Sequence, residues 1–247
     1  MTVESIMQEL KAKENPSAKK MLMKHGVLEP FFGVKVGDMK IIQKRVKKNY
    51  QLSKDLYATG NSDAMYLAGL IADEQKMTKM DLTDWVVQAK SPNIYNYTVP
   101  WITAESKYGF ELGIQWIDSK KTNVAAAGWA TLSSVVAITP DSELDLGLLK
   151  KLLARVEKEI HLAYNQVHSN MNIFVISVGS HVLPLSETAI ETARRIGSVE
   201  VDVGETACKV PNALDYIQKA KYKGNLGKEK NGTLLSFKDK MSFYVSL

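Results

Sequence analysis

Cysteine is nearly absent. Cys208 is the one cysteine among 247 residues, so no intramolecular disulfide can form, and no Cys/His zinc spacing exists. A reducing cytoplasm is the compartment this favours. Long apolar runs are missing as well. The longest weakly polar stretch, Val124 to Ile138, is shorter than the roughly 20 residues that span a bilayer. Met1-Thr2-Val3-Glu4 lacks the basic and apolar regions of a signal peptide, so no membrane contact is expected. The sequence also lacks G-x-x-x-x-G-K-[ST], G-x-G-x-x-G and G-x-S-x-G, which leaves P-loop hydrolases, Rossmann enzymes and α/β-hydrolases without support. No cofactor and no metal are expected. What is present is ordinary globular composition, 45% apolar and 24% charged. A chain of this length buries roughly 70–75% of its unfolded surface, which is core enough without a staple.

The net charge of +5 is unevenly spread. Residues 1–56 carry twelve Lys/Arg against six Asp/Glu, residues 57–220 fourteen against nineteen, and the last 27 residues six against two. A basic surface that could attract phosphate is therefore mainly N-terminal.

Apolar periodicity is helical nearly throughout. Met39, Ile42 and Val46 recur at helical spacing with Asp38 placed as N-cap, and Lys40, Lys44 and Lys47 share a neighbouring face. Asn61-Ser62 opens a helix over 63–72. Thr78 and Asp81 form a capping box ahead of Leu82, Trp85, Val86 and Ala89. Thr98-Val99-Pro100 starts a helix through Glu105, since Pro is tolerated in a first turn. Further helices are expected over 110–118, 123–137, 146–157, 160–182, 187–196 and 211–221. Only Val199 to Val203 alternates like a strand, too briefly to found a sheet. The fold class is all-α. Helix-pair starts near Asp38, Lys79, Gly109, Leu146 and Glu187 recur every 30 to 41 residues, the period of a HEAT-like or armadillo-like solenoid, with an irregular bundle as the alternative. One solenoid domain over 1–222 is expected, followed over 223–247 by a linker and a divergent tail that is either a poorly ordered end, or a dimer clasp or partner-binding peptide.

Several constellations could carry chemistry. His161, Asn165 and His168 fall on one helical face, a spacing wider than the helical zinc pair, so a polar stripe is preferred to a metal site. Asn170 and Asn172 extend it, and such amides suit sugar or base edges as well as solvent. Cys208, beside Lys209, reads as a buried structural thiol. The densest aromatic group is Tyr95, Tyr97 and Trp101, interleaved with Asn96 and joined from later helices by Trp129 and Phe174. These rings either stack on bases or pack between helices.

The segment Phe31-Phe32-Gly33-Val34-Lys35-Val36-Gly37-Asp38-Met39-Lys40 resembles the FGV-containing opening of the AlkD-like DNA alkylation repair family. Asn61 to Leu70 is similar to that family's next helix, and the likeness extends more weakly over residues 1–222. The resemblance implies a HEAT-like solenoid that grips double-stranded, damaged DNA on a concave face. It implies, in catalytic members, an N-glycosylase of the 3-methyladenine and 7-methylguanine type. In those members a groove Asp stabilises the cationic sugar, aromatic residues frame it, and an Arg holds the phosphate.

Carried over residue by residue, the pattern changes. The Asp position, four residues before Pro100, is Asn96, and the flanking Trp position falls at Pro92. The Arg position falls at Val124 or Ala125, and the second groove Trp near Phe174 or Val175. An amide has the shape of a carboxylate without its charge. Glu105 could replace it if the helix begins near Pro100 and Asn96 lies outside. The expected DNA contacts are Tyr95, Tyr97, Trp101, Trp129, His168, Asn172, Phe174, Lys35, Lys40, Lys44, Lys47 and Lys48, with Asn96 or Glu105 at the catalytic position. The leading reading is an alkylation repair protein for alkylated or distorted duplex, its glycosylase activity weakened or lost. The alternative is a non-catalytic HEAT-like scaffold for a protein partner, which the acidic middle of the chain favours.

Overall fold

A computed structural model describes residues 1–202, 210–224 and 226–227, and they form thirteen α-helices with no strand among them. The described residues fall into two compact units, one over 1–108 and one from 109 onward. Cys208 and most of the tail lie outside the described residues.

The first unit holds α1 (Val3–Ala12), α2 (Pro16–Lys24), α3 (Val36–Val46), α4 (Tyr50–Ala58), α5 (Ser62–Ile71), α6 (Lys79–Gln88) and α7 (Val99–Glu105). Two of the expected caps form: Asn61 accepts from the Asp63 and Ala64 N–H groups, and Thr78 and Asp81 close a reciprocal capping box. Asp38 is not a cap. The helix starts three residues earlier, with Lys35 at the N-cap, and Asp38 in its first turn pairs with Lys13 at 2.9 Å. Apolar periodicity does not announce helices α1, α2 and α4. The reason is clearest for α2, which buries no residue and so carries no apolar stripe.

Asp63 explains the motif around residue 33. Its buried carboxylate accepts the backbone N–H groups of Phe32 at 2.6 Å and Gly33 at 2.9 Å. Burial raises its pKa, partly offset by these bonds. Gly33 has φ +77°, and a Cβ there would lie 2.6 Å from the Lys19 backbone nitrogen, so the turn admits only glycine. Leu28 donates to the Ser91 hydroxyl at 2.9 Å, and Ser62 donates its N–H to Pro30 at 2.9 Å. The loop 28–34 thus ties the start of α5 to the residues just ahead of α7.

The second unit holds α8 (Gly109–Ile117), α9 (Thr122–Ile138), α10 (Leu146–Glu159), α11 (Asn165–His181), α12 (Ser186–Ile196) and α13 (Ala213–Tyr222). The expected single helix over 160–182 is broken: a 3-10 turn, Ile160–Leu162, precedes α11, so His161 does not share the face of Asn165 and His168. Arg155 on α10 reaches Asp118 at 2.6 Å, just past the end of α8. His161 meets the Ile196 carbonyl at 2.8 Å at the end of α12. Helices α8, α10 and α12 therefore end at one edge, and α9 and α11 leave from that same edge in parallel. This is the stacking of helix pairs that the spacing of starts predicts.

Candidate nucleic-acid site

The segment that carries Asn96 is not an α-helix. Ile94–Thr98 form a π-turn that runs directly into α7, with the Val99 N–H bonded to the Ile94 carbonyl. The sequence supplies a cause. Pro100 has no N–H, and in an α-helix its ring would collide with the carbonyl four residues back, which belongs to Asn96. Widening the turn relieves that clash. Such π-turns are rare and concentrate at functional sites. The α-helix through Glu105 does start at Thr98-Val99-Pro100 as expected, but the π-turn abuts it, so Asn96 lies in one continuous helical run with α7.

Helix α5 backs this turn. Gly69 leaves room for Thr98, whose Cγ2 would lie 2.4 Å from a Cβ at that position. Tyr66, also on α5, meets Trp101 edge-on with ring centroids 5.7 Å apart, and Tyr97 lies at the same distance on a tilt. Asn96 and Tyr97 are half-buried, whereas Tyr95 and Trp101 are buried. The indole Nε1 of Trp101 and the Asn93 Oδ1 are buried without a hydrogen-bond partner among the described residues. Burial, with Tyr97 adding a smaller effect, pushes the Tyr95 hydroxyl up to about 12, so it stays protonated. Of the first aromatic group, Asn96 and Tyr97 therefore face outward enough to touch a ligand. The ring of Trp101 packs inside, which corrects the expectation of direct contact for Trp101 and Tyr95.

Glu105 closes α7, half-buried. Nine residues of helix separate it from Asn96, about 13 Å along the axis. The condition under which Glu105 could stand in, with Asn96 outside the helix, is not met.

In the second unit the aromatic expectation is corrected outright. Trp129 and Phe174 are fully buried, with ring centroids 5.2 Å apart in an edge contact, and join α9 to α11. They build the core. The amides of α11 are occupied internally: Asn172, fully buried, donates to the Pro211 carbonyl at 2.8 Å, and Asn165 exchanges two bonds with the backbone of Asp202 at 2.7 Å each. His168 is half-buried. The Arg position of the resemblance, Val124 or Ala125, is buried apolar surface.

The lysines divide as well. Lys35, Lys44 and Lys47 are exposed and have no ion pair among the described residues. Lys40 is half-buried, and Lys48 is held by Glu74 at 2.5 Å. Sequence reasoning misses Asp63, which holds the turn at Phe32 and Gly33, and Ser91 and Tyr66, which contact the π-turn and α7. The signal for the first is present in the Asn61-Ser62-Asp63 cap. No cluster of three metal-ligating side chains occurs among the described residues, and no helix there is long and apolar enough to cross a membrane.

Helix pairs stacked in this way define an all-helical repeat protein of the HEAT-like class. A solved structure bears this out with a TM-score of 0.85 and 35% identity, covering 92% of this chain and 97% of its own. That structure is described as a new family of proteins related to the HEAT-like repeat DNA glycosylases with affinity for branched DNA structures. The chain matches the DNA alkylation repair enzyme family over residues 6–196 and belongs to it. It is also 31% identical to an uncharacterised protein of Listeria innocua, over 91% of this chain and all of that one. An uncharacterised protein of Listeria monocytogenes is 30% identical, over 90% of this chain and 98% of its own length.

Proposed function

We propose that this protein binds distorted or branched duplex DNA and does not excise alkylated bases efficiently. The observation that carries this reading is Asn96: a neutral amide stands on the π-turn where the resemblance assigns a carboxylate. Glu105, the one carboxylate in the run 94–105, is too far along the helix to replace it. An amide cannot offset the positive charge that develops on a departing nucleoside sugar. Binding survives such a loss because it rests on other groups. Lys35, Lys44 and Lys47 are exposed to take phosphate, and the affinity of the structural relative for branched DNA supports a partner of that shape.

The test is binding to a four-way junction and to a linear duplex of equal length at two salt concentrations. The three contacts of the first unit alone predict that affinity falls at least roughly 40-fold between 50 and 200 mM salt, with the junction bound more tightly at both. A flat salt response, or no binding at low salt, would remove DNA as the partner.

A further inference from the structure

The edge of the second unit where α8, α10 and α12 end carries side chains that its packing does not use. Leu162, in the 3-10 turn after α10, is 86% exposed, and Tyr164, at the N-cap of α11, is 70% exposed. They stand two residues apart on a turn that is otherwise fixed. Ile160 is buried beneath it, and His161 is bonded to the Ile196 carbonyl. A large apolar side chain and a ring held out from an ordered turn give up burial that folding would have rewarded.

The charges around them are sorted. The carboxylates of Asp118 and Glu159 are held by Arg155, and those of Glu157 and Glu191 by Arg195. Lys120, Lys121, Lys158 and Arg194 are exposed on the same edge and have no ion pair among the described residues. Against these four cations, Glu200 is the one carboxylate of the edge without a partner among the described residues. Apolar and aromatic tips ringed by unengaged cations fit a nucleic acid, which offers flat π faces beside phosphates.

We infer that Leu162 and Tyr164 form a stacking contact for an exposed base face at a DNA branch point, while Lys120, Lys121, Lys158 and Arg194 hold the flanking phosphates. This rests on the DNA reading above and deepens it. A continuous duplex hides its base faces in the stack, and a branch exposes them. The two apolar side chains therefore confer preference for branched over linear DNA, and the cations add salt-dependent affinity for both.

The experiment measures binding of the full chain to a four-way junction and to a linear duplex with blocked ends. It compares wild type, the double variant L162A/Y164A and the double variant K120Q/K121Q. Circular dichroism checks folding, and light scattering gives the oligomeric state. Stacking is worth about 1–3 kcal/mol per base, so the L162A/Y164A variant is expected to lose roughly 5- to 150-fold on the junction and to change less than about twofold on the duplex. K120Q/K121Q is expected to weaken both DNAs alike and to reduce the salt slope by roughly 2. A wild type that prefers the junction, with that preference intact in L162A/Y164A, overturns this inference alone. A wild type with no preference overturns the branched-DNA reading and the inference together. A wild-type dimer that L162A/Y164A converts to monomer assigns the surface to a second copy of the chain and overturns the inference too.

Discussion

The π-turn of the first unit and the α9–α11 packing of the second carry the same kind of sequence signal, an aromatic or amide residue set among apolar helix positions. They resolve differently. Around residue 96 a proline interrupts the helical hydrogen-bond ladder, the backbone widens, and Asn96 and Tyr97 are left half-buried beside a packed Trp101. Around residue 129 nothing interrupts a 17-residue helix, and Trp129 and Phe174 sink completely into the interface. The difference lies in the backbone. Side-chain identity alone marks both places, and only the irregularity imposed by Pro100 separates a presented residue from a core residue.

Substitutions can sharpen this contrast, starting with the largest effect. Trp129→Ala should lower unfolding free energy by about 3–5 kcal/mol, as for other buried tryptophans, and should leave the affinity of the protein that remains folded unchanged. Denaturant titration with a binding assay checks both. A binding defect without destabilisation would return Trp129 to the site. Next, Asp63→Ala leaves the half-buried Phe32 and buried Gly33 N–H groups without their acceptor. The expected cost is about 2–4 kcal/mol, with the loss read as a lower urea midpoint.

Asp81 provides a pH-dependent counterpart in the first unit. Burial acts to raise its pKa, but the Lys54 ammonium, the Thr78 N–H and hydroxyl, and the Tyr50 hydroxyl outweigh it and hold the carboxyl at about 2. Because the folded pKa lies below the unfolded one, the stabilisation is fully present above the unfolded value near 3.8 and is lost as pH falls towards 2. It amounts to about 2 kcal/mol. Stability measured from pH 5 to 2 should fall less steeply in Asp81→Asn than in wild type. Smallest in stability is the triple change K35Q/K44Q/K47Q. It should move unfolding free energy by less than about 0.5 kcal/mol per exposed site, while reducing the salt slope of DNA binding by roughly 2.7. An unchanged slope would place the phosphate contacts elsewhere.

Much of the helical architecture is legible because it is written locally. The Asn61 cap, the Thr78–Asp81 box and the spacing of helix pairs follow from short-range chemistry that a sequence displays directly. The π-turn is not legible, although its cause is visible. Pro100 fits equally well in the first turn of a new helix or at the end of a widened one, and the choice depends on Thr98 packing against Gly69 of α5. The amides of α11 mislead for a related reason. Asn172 and Asn165 look free on a helical face, and their partners, Pro211 and the backbone of Asp202, lie 39 and 37 residues away. The break after Leu162 leaves no mark in the sequence because the apolar pattern continues through it. That break is what holds Leu162 and Tyr164 outward.

If the missing charge at residue 96 separates DNA binding from base excision, the most direct measurement is base release from duplex containing N7-methylguanine. It compares wild type, Asn96→Asp and Glu105→Gln at matched DNA occupancy. Wild type is expected to bind with little release, and Glu105→Gln to behave as wild type does. Asn96→Asp is expected to gain roughly 30-fold, corresponding to about 2 kcal/mol from one preorganised contact. Rapid release by wild type that disappears in Glu105→Gln would contradict this, because it would place the working carboxylate at the far end of α7.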